Sequence, residues 1–246
     1  LRHTLVDAEA REQTHPGGEL LDGAVLAGVE FNTGFSMDGF YLRDADLSDT
    51  KLSLVSLTGA QLSGADLNHA NLRDADLSHA FLKNTDLTHT MLGDADLSHT
   101  KLQNADLSHT VSWDADFSQA ILIGADFQDA TLSGSEFTSA ALPGSDFTEA
   151  HLSGVDFTNG YLRDANLTNA YLRNATLTDA NLRDANLTGT DFHDTDLSGA
   201  NFTDASLRWA VLRDTTAIRT NFTDSSLLGA DIEGASLKDS QFDGAN

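Results

Sequence analysis

From Leu42 to Phe242 every fifth residue is Leu, Phe or Ile, with Ser112 and Ala217 the two exceptions. Two positions before each of these sits a small residue, as at Ala45, Ala60, Ala65, Ala70, Ala75, Thr85 and Ala95, with Phe40 and Val55 as large departures. The residue between them is usually Asp or Asn, as in Ala65-Asp66-Leu67 and Ala165-Asn166-Leu167. Upstream the pattern runs one residue out of phase through Leu21, Leu26 and Phe31, so an extra residue is required near Gly34. A period of five fits neither a helix, nor a simple alternating strand, nor a heptad. Two apolar positions two residues apart share one side of a short extended segment. If each pentapeptide is one side of a coil, the chain turns after each, and four sides close a square of 20 residues. Stacked coils pair at ~4.8 Å, so about 11 of them make a rod roughly 50 Å long. The alternation predicts an all-β solenoid whose stability comes from contacts between neighbouring coils.

The pattern also sets the expected domains. Residues 1–18 lie outside the repeat; Thr4 with Asp7 resembles a capping box for a short helix through Glu12, ended by Pro16-Gly17-Gly18. Residues 1–18 are therefore expected to cap a solenoid spanning 19–246. The repeats run to Asn246, so Leu237 and Phe242 are expected to be covered by a second copy, as a homodimer or end-to-end stack, or by further chain. A bulge is expected at the second broken slot, Ala217–Ile218.

Positions 20 apart should stack. Phe117, Phe137 and Phe157 then form one internal ladder, Phe127 and Phe147 a second, and Phe202, Phe222 and Phe242 a third, all read as core. The slot before the large residue should face solvent. It is acidic at Asp66, Asp76, Asp86, Asp96, Asp106, Asp116, Asp126, Glu136, Asp146 and Asp156, which alternate between two opposite faces. Carboxylates ~4.8 Å apart repel, so the ladders need salt, cations or hydrogen bonds to neighbouring turns. Asp and Asn cap turns through side-chain-to-backbone bonds, and that is the simpler reason for the slot.

Charge sharpens this picture. The 246 residues carry a net charge of −24, with 31 Asp against 7 Glu and 4 Lys against 10 Arg. Residues 62–157 hold 15 acids and 3 Lys or Arg, whereas six of the ten arginines lie at 163–219. Such a chain repels nucleic acid, which excludes direct DNA or RNA binding. Excess Asp with little Lys is the composition of a surface adapted to high salt, where repulsion is screened within ~3 Å at 1 M. There is no cysteine, and no apolar run is long enough to span a membrane. The cytoplasm is slightly favoured, and an extracellular location stays open: Asn166, Asn174, Asn186, Asn201 and Asn221 each begin Asn-x-Ser/Thr, although the repeat itself writes Asn-Leu-Thr.

Other regularities carry weaker chemistry. His69, His79, His89, His99 and His109 recur every ten residues; imidazoles ligate metals, but duplication of a ten-residue unit explains them equally, and no metal site is assigned. In the remaining units the outward slot is apolar at Phe81, Met91, Val111, Ile121, Tyr161 and Tyr171, with Trp113 and Ile123 beside two of them. Phe81, Met91, Val111, Trp113, Ile121, Tyr161, Tyr171 and Phe242 are candidate interface positions, the outward-slot residues being split between two opposite faces. Ser/Thr ladders such as Thr138, Thr158 and Thr178 have the regularity of ice-binding solenoids, but the adjacent carboxylates argue against that use.

The unit Ala-(Asp/Asn)-Leu-(Ser/Thr)-x, at 65–69, 75–79, 105–109, 165–169 and 185–189, resembles the pentapeptide-repeat family over residues 19–246. The resemblance implies a right-handed quadrilateral β-helix with the Leu/Phe and Ala slots inward. It implies little about function, because many members have no known activity. No phosphate loop, cofactor motif or catalytic triad stands apart from the repeat, so a non-enzymatic scaffold with no cofactor is expected, a rigid acidic rod binding an unidentified protein. The alternative follows from quinolone-resistance members of the family, which resemble a DNA segment and bind type II topoisomerases. Duplex DNA carries about one charge per 1.7 Å, so a ~50 Å length holds roughly 30.

Overall fold

The backbone donors of one unit explain the whole architecture. Ala45 N–H closes a turn onto the Leu42 carbonyl at 3.2 Å. Asp46 N–H reaches down to Ala24 O (2.9 Å), while Leu47 and Asp49 reach up to Asp66 O (2.7 Å) and Asn68 O (2.9 Å). The fifth donor, Ser48 N–H, has no carbonyl and is taken by the Asp46 side chain at 3.1 Å. The corner residue needs a left-handed backbone: Asp49 has φ 56° and Gly64 φ 74°. Asp, Asn and His tolerate that conformation better than other side chains, and most such corners carry one of them or Gly.

The computed structural model describes residues 19–246, so the expected N-terminal cap at 1–18 lies outside the described residues. Parallel bridges join Tyr41 to Gln61, Asp46 to Asp66, Lys51 to Asn71 and Ser56 to Asp76, one for each side of a square coil. This interval of 20 persists to Asn221–Gln241. Below it the interval is 21, at Leu20–Tyr41, Val25–Asp46 and Glu30–Lys51, so the extra residue falls between Phe31 and Ser36 as the sequence predicts. The bulge expected at Ala217–Ile218 does not form. Ala217 N–H still donates to Ser236 O at 2.8 Å and the side chain stays in the inward slot, so a small residue there shortens the filling, not the register.

The interior is one continuous column. The large slots from Leu42 to Phe222 are 2 % exposed or less, each Leu or Phe among them contributing roughly 1.5–3 kcal/mol of burial. Phe117, Phe137 and Phe157 stack at 4.8 and 4.9 Å, Phe127 and Phe147 at 4.7 Å, and the two ladders meet edge-on at 5.8–6.0 Å. Parallel stacking is imposed by the coil repeat, and the edge-on contacts between ladders supply the favourable quadrupole geometry. Phe202, Phe222 and Phe242 continue the third ladder at 5.2 and 5.0 Å. Val155 joins Val55 as a large residue in the buried small slot. Where that slot holds Thr, the hydroxyl donates to a carbonyl of its own turn or the coil below, as from Thr100 to Leu97 O (2.6 Å) and Thr90 to Leu67 O (3.0 Å). Ser112, in a large slot, is the exception: its Oγ is buried without a partner.

Candidate functional site

The acidic slots form two ladders on opposite faces. On the first, Asp46, Asp66, Asp86, Asp106, Asp126 and Asp146 bridge in succession; on the second, Asp76, Asp96, Asp116, Glu136 and Asp156 do. Asp46 extends the first ladder one coil below the residues singled out from the sequence. All the predicted acids except Glu136 accept the N–H two residues on, at 2.7–3.0 Å. That N–H is the donor the backbone leaves over. Capping of the turn is therefore what places Asp in this slot, and the longer Glu136 makes no such bond.

Closeness of like charges then acts on residues already fixed by their turns. Burial, reinforced by Asp106 and Asp146 on either side, raises the Asp126 carboxyl above its ordinary range despite the Gln128 N–H. At Asp76 burial also pushes upward, but the hydroxyl and N–H of Ser78 outweigh it and the carboxyl is lowered. At Asp46 the Ser48 hydroxyl, then its N–H, lower the carboxyl. At Asp46 and Asp76 the hydroxyl and N–H bonds therefore outweigh the effect of burial. Between residues 62 and 157 no Lys or Arg of the described residues lies within ion-pair distance of a carboxylate. Arg73 sits 5.4 Å over Trp113 and Lys101 4.3 Å over Phe81.

Above residue 157 the first ladder changes chemistry. Asn166 and Asn186 replace Asp, and Asn166 Nδ2 donates to Thr148 Oγ1 (2.7 Å) while Asn186 Nδ2 donates to Thr168 Oγ1 (2.9 Å). The Asn-Leu-Thr sequences are turn caps of this kind: Asn166 Oδ1 accepts the Thr168 hydroxyl at 2.7 Å.

The apolar candidates divide as expected. Phe81 and Ile121, with Lys101 between them, lead to Tyr161 on one face, and Met91 and Val111 lead to Tyr171 on the opposite one. Tyr161 and Tyr171 are well exposed, whereas Phe81, Met91, Val111 and Ile121 are half-buried in the ladder. Trp113 lies against Gly93, where a Cβ would meet its ring at 2.9 Å. Phe242 is 40 % exposed. Trp209 (62 %), Leu228 and Ile232 are exposed and were not singled out as interface positions.

The five histidines occupy left-handed corners, with φ of 57–61°. His69, His89 and His109 stack at 4.9 and 5.0 Å, and His79 on His99 at 4.7 Å. No helix among the described residues is long and apolar enough to cross a membrane.

The sequence profile of pentapeptide repeats matches repeatedly, over residues 41–78, 70–108, 101–138, 114–148, 132–169, 165–204 and 205–244. Comparison with curated proteins found no match. Among solved structures, HetL, a pentapeptide repeat protein involved in heterocyst differentiation regulation in Nostoc sp., is 28 % identical with a TM-score of 0.36, covering 89 % of this chain and 91 % of HetL. QnrB1, a plasmid-mediated fluoroquinolone resistance protein, is 19 % identical with a TM-score of 0.46, covering 89 % of each chain. A thylakoid-lumen protein of Arabidopsis thaliana is 36 % identical with a TM-score of 0.33, covering 44 % of this chain and 68 % of its own.

Proposed function

We propose that this chain, which belongs to the pentapeptide-repeat family, is a non-enzymatic scaffold that presents a rigid acidic rod of about 11 coils to a protein partner in a high-salt setting. The observation that supports this most is the pair of capped carboxylate ladders over residues 62–157, which no Lys or Arg of the described residues pairs within ion-pair distance. A fold held by hydrophobic filling and turn caps tolerates that charge, and salt relieves what repulsion remains. Thermal melts from low to molar salt test it: stability should climb as the ladders are screened, and a flat profile overturns the salt-adapted reading.

A second reading has its own support. Two opposite faces with ladders of negative charge have the regularity of a duplex, whose charges fall about every 1.7 Å along its axis. On that reading the protein is a DNA mimic that occupies the duplex channel of a type II topoisomerase. A gyrase supercoiling assay separates the two, because the scaffold reading expects no effect and the mimic expects inhibition or protection.

A further inference from the structure

A recurrent corner in the upper half points to a cation site. Arg163 places Nε 3.4 Å from Asp164 and its terminal nitrogen 3.2 Å from Asp184, one coil up. Arg183 repeats this with Asp184 (3.4 Å) and Asp204 (3.1 Å). In each case a guanidinium fills the gap between two stacked corner carboxylates. At the opposite corner the same step is taken by His193, with Nε2 3.3 Å from Asp194 and Nδ1 3.9 Å from Asp214. The geometry is conserved while the permanent positive charge is gone.

We infer that His193, Asp194 and Asp214 form a surface site for a divalent first-row transition ion, Zn2+ being the ion that best suits one imidazole and two carboxylates. Three considerations carry this. One ligand atom from each residue lies within 4.8 Å of the other two. A tetrahedral set at ~2.1 Å needs ligand atoms about 3.4 Å apart, so small side-chain adjustments close the site. Imidazole with carboxylate favours such ions over the all-oxygen partners of Ca2+ or Mg2+. Nearby arginines make their ion pairs elsewhere, Arg173 with Asp191 at 2.6 Å and Arg213 with Asp231 at 2.5 Å and Glu233 at 3.1 Å, although Arg213 also feels the charge of Asp214. Asp194 and Asp214 are 52 % and 59 % exposed, so an ion can enter and keep water in its open positions. The histidine ladders lower on the rod lack the two converging carboxylates.

Zn2+ titration of the full chain by calorimetry, with histidine ring resonances followed by NMR, tests the site. The expected result is one equivalent of Zn2+ that shifts the His193 ring first, resists excess Ca2+, and weakens about tenfold or more in Asp214→Asn. His193→Arg should lose that equivalent yet fold normally, since Arg163 and Arg183 already occupy the same step. Unchanged stoichiometry and affinity in His193→Arg would overturn the site. So would Zn2+ shifting only His69, His89 and His109, or its displacement by equimolar Ca2+.

Discussion

Residues 62–157 and 163–233 share one backbone and solve its charge problem in opposite ways. In the lower region carboxylate stacks on carboxylate, each tied to its own turn, and Lys or Arg lies over aromatic rings instead. In the upper region the first ladder becomes Asn bonded to Thr, and arginines bridge corner carboxylates between coils. The contrast shows that the cap, not the charge, is what the fold requires of the slot. Asn also serves it, at 3.3 Å from Thr168 N–H to Asn166 and 3.2 Å from Thr188 N–H to Asn186, so negative charge in the lower region is surplus to folding and open to selection for surface properties.

The largest expected effect asks whether the lower region offsets its repulsion through its core. Phe137 stacks on Phe117 and Phe157 and meets Phe127 and Phe147 edge-on, while Leu177 fills the same side two coils higher. Phe137→Ala should cost about 3–5 kcal/mol and Leu177→Ala about 2–5, with Phe137 the costlier. Chemical denaturation of both variants measures this, and the reverse order would mean that the aromatic ladder adds nothing beyond volume.

Next in size is the electrostatic difference. Replacing Asp86, Asp106 and Asp126 together by Asn keeps every cap and should stabilise the protein by about 1 kcal/mol at low ionic strength, fading toward zero in 1 M salt. Arg183→Gln, which removes a bridge between Asp184 and Asp204, should go the other way by about 0.5 kcal/mol or less. Melts of both at two salt concentrations break the comparison if the signs agree.

The smallest effect is a pH dependence of opposite sign at two ladder positions. Asp126 is raised in the fold, so the folded state binds its proton more tightly than the unfolded chain does. Its contribution therefore falls as pH rises from the ordinary carboxylate range through the raised value. Asp76 is lowered, so its contribution is present above the ordinary value and is lost as pH falls through the lowered one. Denaturation between about pH 3 and 7 should show Asp126→Asn removing the first slope and Asp76→Asn the second; identical profiles would remove the distinction between these two positions.

Much of this was legible in the chain. Leu42, Leu47 and Leu52 at intervals of five give the square coil, and the shift after Phe31 gives the extra residue, because a two-in-five apolar pattern has few ways to bury itself. The Ala217 bulge was misread because an undersized side chain and an inserted residue look alike as a break in the pattern, whereas only an insertion moves the hydrogen bonds. The capping role of Asp106 was foreseen as a turn preference, but its cause, one N–H per unit that no carbonyl reaches, needs the coil-to-coil bonding. The His193 step was not foreseen at all. His193-Asp194 resembles any other corner in sequence, and the second carboxylate, Asp214, is a neighbour only because coils stack.

The sequence by itself determined the period, the inward and outward slots and the alternation of acidic with apolar faces, since all three follow from five-residue spacing and side-chain character. Tertiary structure decided which charges meet. Residues 20 or 21 apart become contacts only through the register between coils, and that register turns Asp106 and Asp126 into mutually repelling neighbours, Arg183 into a bridge, and His193 with Asp194 and Asp214 into a candidate cation site.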